Sequence, residues 1–203
     1  MTKLVSFIFM LCVATTSSFA VSKSLLIVGD SLSAGYNMPA EQSWPVLLNQ
    51  KYQQQKLPTT VINASISGDT TGNGLARLPA LLTQYQPDYV LIALGANDGL
   101  RGFSANIITD NLTQMIILSQ SKSALVFLMQ IKVPPNYGKR YNQLFTSIYP
   151  SLGERYDLPV LDFFLEHIIV RPEWMMEDGL HPKPQAQPWI ADFMEAQLQP
   201  HLK

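Results

Sequence analysis

The stretch DYVLIALG at residues 88–95 is the strongest strand signal in the sequence, and it indicates the fold class. Its side chains are apolar on both faces of an extended chain, and the run stops at Gly95. A strand that is apolar on both faces is typical of a parallel sheet with helices packed against each side. The sequence around it should therefore alternate between strands and helices.

The rest of the chain shows this alternation. Further apolar runs predict strands at residues 24–28, 60–63, 124–129 and 158–163. Elsewhere, apolar side chains recur every three or four residues, which predicts helices within residues 44–52, 75–82, 108–119, 141–152 and 185–198. This order predicts a three-layer α/β sandwich with a parallel sheet in the middle layer.

The first twenty residues differ from the rest. Lys3 provides a positive charge, residues 4–13 form an apolar run, and small and polar residues follow up to Ala20. This order is typical of a secretory signal peptide, and the run is too short to cross a bilayer of about 30 Å as a helix. We predict a signal peptide at 1–20 and a single domain at 21–203, periplasmic or secreted after cleavage near Ala20.

Composition narrows the possible functions. The 203 residues carry a net charge of −1 and no cluster of Lys and Arg, which argues against nucleic-acid binding. The only cysteine, Cys12, lies in the predicted signal peptide, so the mature domain has no disulfide and no thiol nucleophile. We expect a monomer without a cofactor, a bound metal or a stable membrane anchor.

Polar turns that contain glycine follow three of the predicted strands. They read GDSLS at residues 29–33, NASISGD at 63–69 and GANDG at 95–99. The carboxyl ends of parallel strands meet at one edge of a sheet, and ligands of such folds bind at that edge. We therefore expect the three turns to form a single site.

Three residues have the types needed for nucleophilic catalysis. Asp178 and His181 lie on one short turn, where the carboxylate can accept the Nδ1–H of the imidazole and leave Nε2 free as a base. Ser31 follows a buried strand, and its hydroxyl needs such a base to become nucleophilic. The structural alternatives are a surface pair for Asp178 and His181 and a helix cap for Ser31.

Two more residues can stabilise the negative charge that develops during attack on an acyl carbon. Gly68 can offer its backbone N–H closely because it lacks a side chain, and Asn97 can offer its amide. With the N–H of Ser31 they make three donors, and loss of one such donor typically costs about 10²–10³ in rate. Gly68 and Asn97 are also common in ordinary turns, so the prediction depends on all elements together.

The order of these motifs resembles the SGNH, or GDSL-type, hydrolase family. GDSL at residues 29–32, Gly68, GAND at 95–98 and DGLH at 178–181 are similar to its four blocks and span nearly the whole mature chain. Longer strings such as NASISGDT at 63–70 resemble a bacterial periplasmic subgroup of thioesterases and lysophospholipases.

This resemblance implies a flavodoxin-like sheet of five parallel strands with helices on both faces. It implies hydrolysis of acyl thioesters, aryl and simple esters, and lysophospholipids, with Ser31, Asp178 and His181 as the triad and Ser31, Gly68 and Asn97 as the oxyanion hole. Ala96 stands where the family pattern has a second glycine, and its methyl group is expected to narrow the loop near Asn97.

The acyl chain is expected to contact two loops that follow strand ends, at Leu100, Phe103, Pro135 and Tyr137. Two alternatives remain open. One is a carbohydrate acetyl esterase with the same triad. The other is a flavodoxin-like ligand-binding module without catalysis, although no glycine-rich phosphate-binding motif is present.

Overall fold

A computed structural model describes residues 22–202 of the chain, and the predicted signal peptide lies outside them. At its centre is a parallel sheet with the strand order β2-β1-β3-β4-β5. The strands are β1 (Lys23–Gly29), β2 (Thr59–Asn63), β3 (Tyr89–Ala93), β4 (Leu125–Met129) and β5 (Val160–Leu161). The predicted sheet of five parallel strands is confirmed. Strand β5 is shorter than the apolar run at 158–163, because it pairs only with the end of β4.

Helices cover both faces of this sheet. They are α1 (Ser31–Ala34), α2 (Trp44–Gln54), α3 (Thr71–Tyr85), α4 (Ala96–Leu100), α5 (Ala105–Ser121), α6 (Lys139–Tyr156), α7 (Leu165–Ile168) and α8 (Gln187–Leu198). Helix α2 packs against α8, and α5 packs against both α3 and α6. Strand β3 is buried along its whole length, as expected for a strand covered on both faces. The predicted three-layer α/β sandwich is confirmed.

Within residues 22–202, no helix combines the length and the apolar character that crossing a membrane requires.

The pairing of β1 with its two neighbours brings the polar turns together. Leu26 of β1 pairs with Ile62 of β2 on one side and with Val90 of β3 on the other. Gly29 pairs with Ala93 at the ends of β1 and β3. The strand order reverses at β1, because the chain continues first to β2 on one side and then to β3 on the other. In such sheets this reversal leaves a crevice where ligands bind.

The turn after β3 depends on Gly95. The buried Tyr149 of α6 donates a hydrogen bond to the Leu94 carbonyl at 3.1 Å, so its ring lies directly on this turn. A β-carbon at Gly95 would lie 2.1 Å from the Tyr149 hydroxyl oxygen, and the backbone φ of +124° is rarely adopted by L-residues. Glycine therefore allows α4, which carries Asn97, to begin directly at the sheet edge.

Gly95→Ala is expected to lower the free energy of unfolding by more than about 2 kcal/mol, because it combines steric overlap with an unfavourable φ. Gly102→Ala is the matched control. Gly102 also has a positive φ of +69°, but no heavy atom of the described residues lies within 4 Å of the added β-carbon. Its cost should be about 1 kcal/mol. Urea unfolding compares the two variants, and equal losses would show that Tyr149 does not confine the turn.

Candidate active site

Ser31 is presented by the turn between β1 and α1. Asp30 caps the N-terminus of α1, and its Oδ1 accepts a hydrogen bond from the Leu32 N–H at 3.0 Å. Helix α1 ends after one turn at Gly35, whose left-handed backbone has a φ of +80°. Ser31 is therefore held at the sheet edge, where it lines a cavity.

His181 reaches Ser31 from the opposite end of the chain. The Nε2 atom of His181 lies 2.9 Å from Oγ of Ser31, although the two residues are 150 positions apart. On the other side of the ring, Nδ1 lies 2.7 Å from Oδ2 of Asp178. The turn that carries Asp178 and His181 is anchored by a hydrogen bond from the Met176 N–H to the His181 carbonyl at 2.8 Å. The arrangement can pass a proton from Ser31 to His181.

The second oxygen of Asp178 is held by backbone groups. Oδ1 accepts hydrogen bonds from the Leu180 N–H at 2.9 Å and the His181 N–H at 3.0 Å. Desolvation alone would raise the pKa of Asp178, but the hydrogen bonds from Leu180 and from the His181 ring and backbone outweigh it and lower the pKa. Asp178 is therefore a carboxylate at neutral pH, and it orients the imidazole with Nδ1–H towards itself.

The residues expected to hold an oxyanion line the same cavity as Ser31 and His181. Gly68 has a left-handed backbone with a φ of +85°. Asn97 is the second residue of α4, and its amide nitrogen donates to the Asp69 carbonyl at 3.0 Å and lies 3.5 Å from a carboxyl oxygen of Asp30. The structure therefore brings Ser31, Gly68 and Asn97 to one place.

Two interactions that sequence reasoning missed fasten the loops together. The buried Asp98 accepts hydrogen bonds from the backbone N–H and the hydroxyl of Thr71, at 2.8 and 2.6 Å, which joins α4 to the start of α3. Arg77 of α3 forms an ion pair with Asp69 at 2.7 Å and donates to the carbonyl of Ala64. The Asp98–Thr71 contact holds the loop after β3 against the end of the loop after β2, and Arg77 fixes the loop after β2 to α3.

The cavity has a volume of about 470 Å³, and most of its wall is apolar. Of the residues predicted to contact an acyl chain, Leu100 lines it. Ala96 also lines it, next to Asn97. Pro134, from the second loop expected to contact the acyl chain, lines it as well. Sequence reasoning missed the rest of the apolar wall, which consists of Leu32, Tyr36, Val133, Phe163, Leu165, Ile169 and Leu180.

Phe103 and Tyr137 are not among the residues that line this cavity. The backbone of Phe103 donates to the Asp98 carbonyl at 2.9 Å and accepts a hydrogen bond from Tyr141, so it closes the loop after α4. Tyr137 donates from its hydroxyl to the Leu100 carbonyl at 2.9 Å and lines a second concavity. Pro135 begins a 3-10 turn, and its side chain lies outside what the structure describes.

One ion pair lies among the apolar groups of the wall. Lys132 follows β4, and its Nζ lies 2.6 Å from a carboxylate oxygen of Glu166 in α7. Both side chains are more than a third exposed, so the pair contributes little to stability. In residues 22–202, no three His, Cys, Asp or Glu side chains come together in a way that could hold a metal ion.

Residues 27–187 match the sequence model of the GDSL-like lipase/acylhydrolase family. The chain belongs to this family. It is an enzyme that hydrolyses ester bonds, and the resemblance predicted from the four motifs is confirmed.

Several members of the family are similar to this chain over most of its length. An arylesterase from Vibrio mimicus is 57% identical over 202 residues, which is 100% of both chains. The thioesterase 1/protease 1/lysophospholipase L1 of Escherichia coli (strain K12) is 52% identical over 192 residues, 95% of this chain and 91% of that protein. The crystal structure of the psychrotrophic esterase EstA from Pseudoalteromonas sp., inhibited by monoethylphosphonate, has a TM-score of 0.86 at 44% identity and covers 88% of this chain and 97% of the esterase.

Asp30 places a buried carboxyl group directly beside Ser31 in this family member. Burial raises its pKa to about 7; the hydrogen bond from Leu32 opposes the shift, and the charges of Asp98 and Asp69 add to it. The pKa of the folded state lies above that of an unfolded aspartate, so this group favours folding most below about pH 4. The contribution is lost as the pH rises towards 7.

Asp30→Asn is expected to remove this pH dependence, because asparagine keeps an oxygen for the Leu32 N–H but does not ionise. Between pH 5 and 8 the free energy of unfolding of the variant should fall by about 2 kcal/mol less than that of the wild type. Urea unfolding at both pH values measures the two falls. Asp110→Asn, which changes an exposed carboxylate, is the control and should behave as the wild type. If the free energy of unfolding falls equally in the wild type and in Asp30→Asn, then Asp30 is not a buried carboxyl group that is partly protonated near pH 7.

Proposed function

We propose that this enzyme cleaves carboxylic esters and acyl thioesters through an acyl-enzyme formed on Ser31. The proposal rests on two contacts beside a cavity with apolar walls: Ser31 Oγ lies 2.9 Å from His181 Nε2, and His181 Nδ1 lies 2.7 Å from Asp178 Oδ2. A catalytic triad of serine, base and carboxylate is recognised by this geometry rather than by the order of its residues in the chain.

In the acylation step, Oγ of Ser31 attacks the acyl carbon while its proton passes to Nε2 of His181. Asp178 keeps Nδ1–H directed towards itself and stabilises the imidazolium that forms. His181 then gives its proton to the leaving thiol or alcohol. Water hydrolyses the acyl-enzyme by the same route, with His181 again acting first as base and then as acid.

The oxyanion of each tetrahedral intermediate accepts hydrogen bonds from the N–H groups of Ser31 and Gly68 and from the Asn97 amide. The amide already donates to the Asp69 carbonyl at 3.0 Å, which fixes its orientation. The remaining hydrogen meets only a long contact of 3.5 Å to Asp30 and is available to the oxyanion. Preorganised donors of this kind need no rearrangement as the charge develops.

The proposed substrates are acyl thioesters, aryl and simple esters, and lysophospholipids. The relatives named arylesterase and thioesterase 1/protease 1/lysophospholipase L1 support this range, as does the apolar wall next to Ser31. A cavity of about 470 Å³ lined mainly by apolar side chains suits a hydrocarbon chain better than a sugar, so a carbohydrate acetyl esterase is disfavoured. Membership of an acylhydrolase family disfavours a ligand-binding module without catalysis.

The proposal includes the setting of the enzyme. Residues 1–20 act as a signal peptide, and the mature domain at 21–203 works as a monomer in the periplasm or outside the cell. The charged start, the apolar run and the small residues up to Ala20 support this assignment. The proposed reaction uses the side chains of the chain alone, with no cofactor or metal.

Ser31→Ala is expected to lower kcat/KM by about 10⁴-fold or more on p-nitrophenyl esters and acyl thioesters, because no other group takes over the attack. Ser33→Ala is the matched control, since Ser33 lies in the same helix but is buried and is not among the residues lining the cavity. Wild-type activity should survive a chelator. A Ser31→Ala protein that keeps most of its activity, or wild-type activity that a chelator abolishes, would overturn the proposal.

Leu100→Ala is expected to lower kcat/KM about 3- to 30-fold more for long acyl chains than for short ones, because it removes part of the apolar wall. Phe103→Ala should leave the chain-length profile unchanged, since Phe103 is outside the cavity wall. A series of p-nitrophenyl esters of increasing chain length measures both profiles. If Phe103→Ala changes the profile and Leu100→Ala does not, the acyl chain lies elsewhere.

A further inference from the structure

The face of the His181 ring is covered by an aromatic side chain that the proposed mechanism does not use. The Tyr36 ring stacks on the imidazole with a centroid distance of 4.2 Å and an angle of 27° between the planes. His181 thus has three kinds of contact: Asp178 at Nδ1, Ser31 at Nε2 and Tyr36 on its face.

The local backbone explains how Tyr36 reaches this position. Helix α1 (Ser31–Ala34) is followed by Gly35, whose left-handed conformation turns the chain back. The Tyr36 N–H then lies 3.4 Å from the Ser31 carbonyl, so the nucleophile and the stacking ring are joined within one short turn. Tyr36 is 43% exposed, and its hydroxyl makes no hydrogen bond within residues 22–202. The ring, rather than the hydroxyl, makes the contact.

The hydrogen bonds at Nδ1 and Nε2 hold the two nitrogens of the imidazole, but they restrict rotation of the ring about the line through these two atoms only weakly. A ring stacked on its face restricts this rotation. An aromatic face also attracts a cation, and His181 becomes an imidazolium in both half-reactions of the proposed mechanism. The carboxylate that balances this charge, Asp178, has 37% of its side chain exposed, so water screens part of its effect.

We propose that Tyr36 is a positioning residue that holds the His181 imidazole by stacking and stabilises its protonated form during turnover. This inference rests on the proposed function, because it needs His181 as the base. Tyr36 also lines the cavity, so a simple contact with the acyl chain is the competing explanation. The two roles differ in what they change: a positioning role affects every substrate, whereas a wall contact affects long acyl chains.

The test compares Tyr36→Leu, which removes the ring, with Tyr36→Phe, which keeps it. Tyr36→Leu should lower kcat about threefold to tenfold for short and long acyl chains alike, the range expected for a lost stacking contact. Tyr36→Phe should recover most of that loss. Tyr85→Leu, a change of another exposed tyrosine at the end of α3, is the matched control for the substitution itself. Unfolding midpoints of all three variants establish that each is folded.

The pH profile of kcat/KM separates positioning from an indirect structural effect. The charged or titratable groups around the ring are Asp178 at Nδ1, Asp30 behind Ser31, and the ion pair of Lys132 and Glu166 across the cavity, and none of them is altered. Loss of the aromatic face disfavours the imidazolium, so the acid limb of Tyr36→Leu should move to lower pH by roughly 0.4 to 0.7 units. The acid limb of Tyr36→Phe should stay with that of the wild type.

A small alkyl fluorophosphonate completes the test, because it reacts with the nucleophile but carries no acyl chain. Its labelling rate should fall in Tyr36→Leu and not in Tyr36→Phe. Equal labelling rates in wild type and Tyr36→Leu, with a loss of kcat/KM for long chains only, would overturn the positioning role in favour of a wall contact. Failure to label Ser31 in the wild type, located by mass spectrometry, would instead overturn the proposed function.

Discussion

Parallel pairing of β1 with β2 and β3 is the constraint on which the rest of the structure depends. Because the strands run in one direction, the turns after Gly29, Asn63 and Ala93 all leave the sheet at the same edge. The proposed nucleophile, Ser31, and the proposed oxyanion donors, Gly68 and Asn97, therefore lie on turns that follow adjacent strands of the sheet. Only the Asp178–His181 turn must arrive from elsewhere, and it does so ahead of α8, which packs against α2.

Negative charge is concentrated at this edge, and the structure accommodates each carboxyl group differently. Asp69 is balanced by Arg77, and Asp98 accepts two hydrogen bonds from Thr71. Asp30 lies buried beside Ser31, and burial raises the pKa of its carboxyl group to about 7, so part of it is uncharged at neutral pH. A carboxyl group that is partly protonated near neutral pH places less negative charge beside the proposed oxyanion hole than a fully ionised one would.

Much of this could be predicted from local patterns. The alternation of five apolar runs with helical patterns predicts the parallel sheet, and the three polar turns predict the residues gathered at its edge, since strand ends and glycine turns are local signals. Most of the cavity wall could not be predicted. Phe163, Leu165 and Ile169 belong to a segment whose only helix, α7, is four residues long and has no periodic pattern. Phe103 is apolar and close in sequence, but the left-handed Gly102 turns the chain so that Phe103 lies outside the cavity wall.

The separation of 150 residues between Ser31 and His181 has a consequence for how the enzyme matures. All five strands lie between residues 23 and 161, so every strand of the sheet is synthesised before the turn that carries Asp178 and His181. A nascent chain that ends before this turn would contain the proposed nucleophile, Ser31, but would lack the proposed base, His181. Hydrolytic activity would therefore arise only after the Asp178–His181 turn has been synthesised and has docked beside Ser31, which keeps an acyl-cleaving enzyme inactive until then.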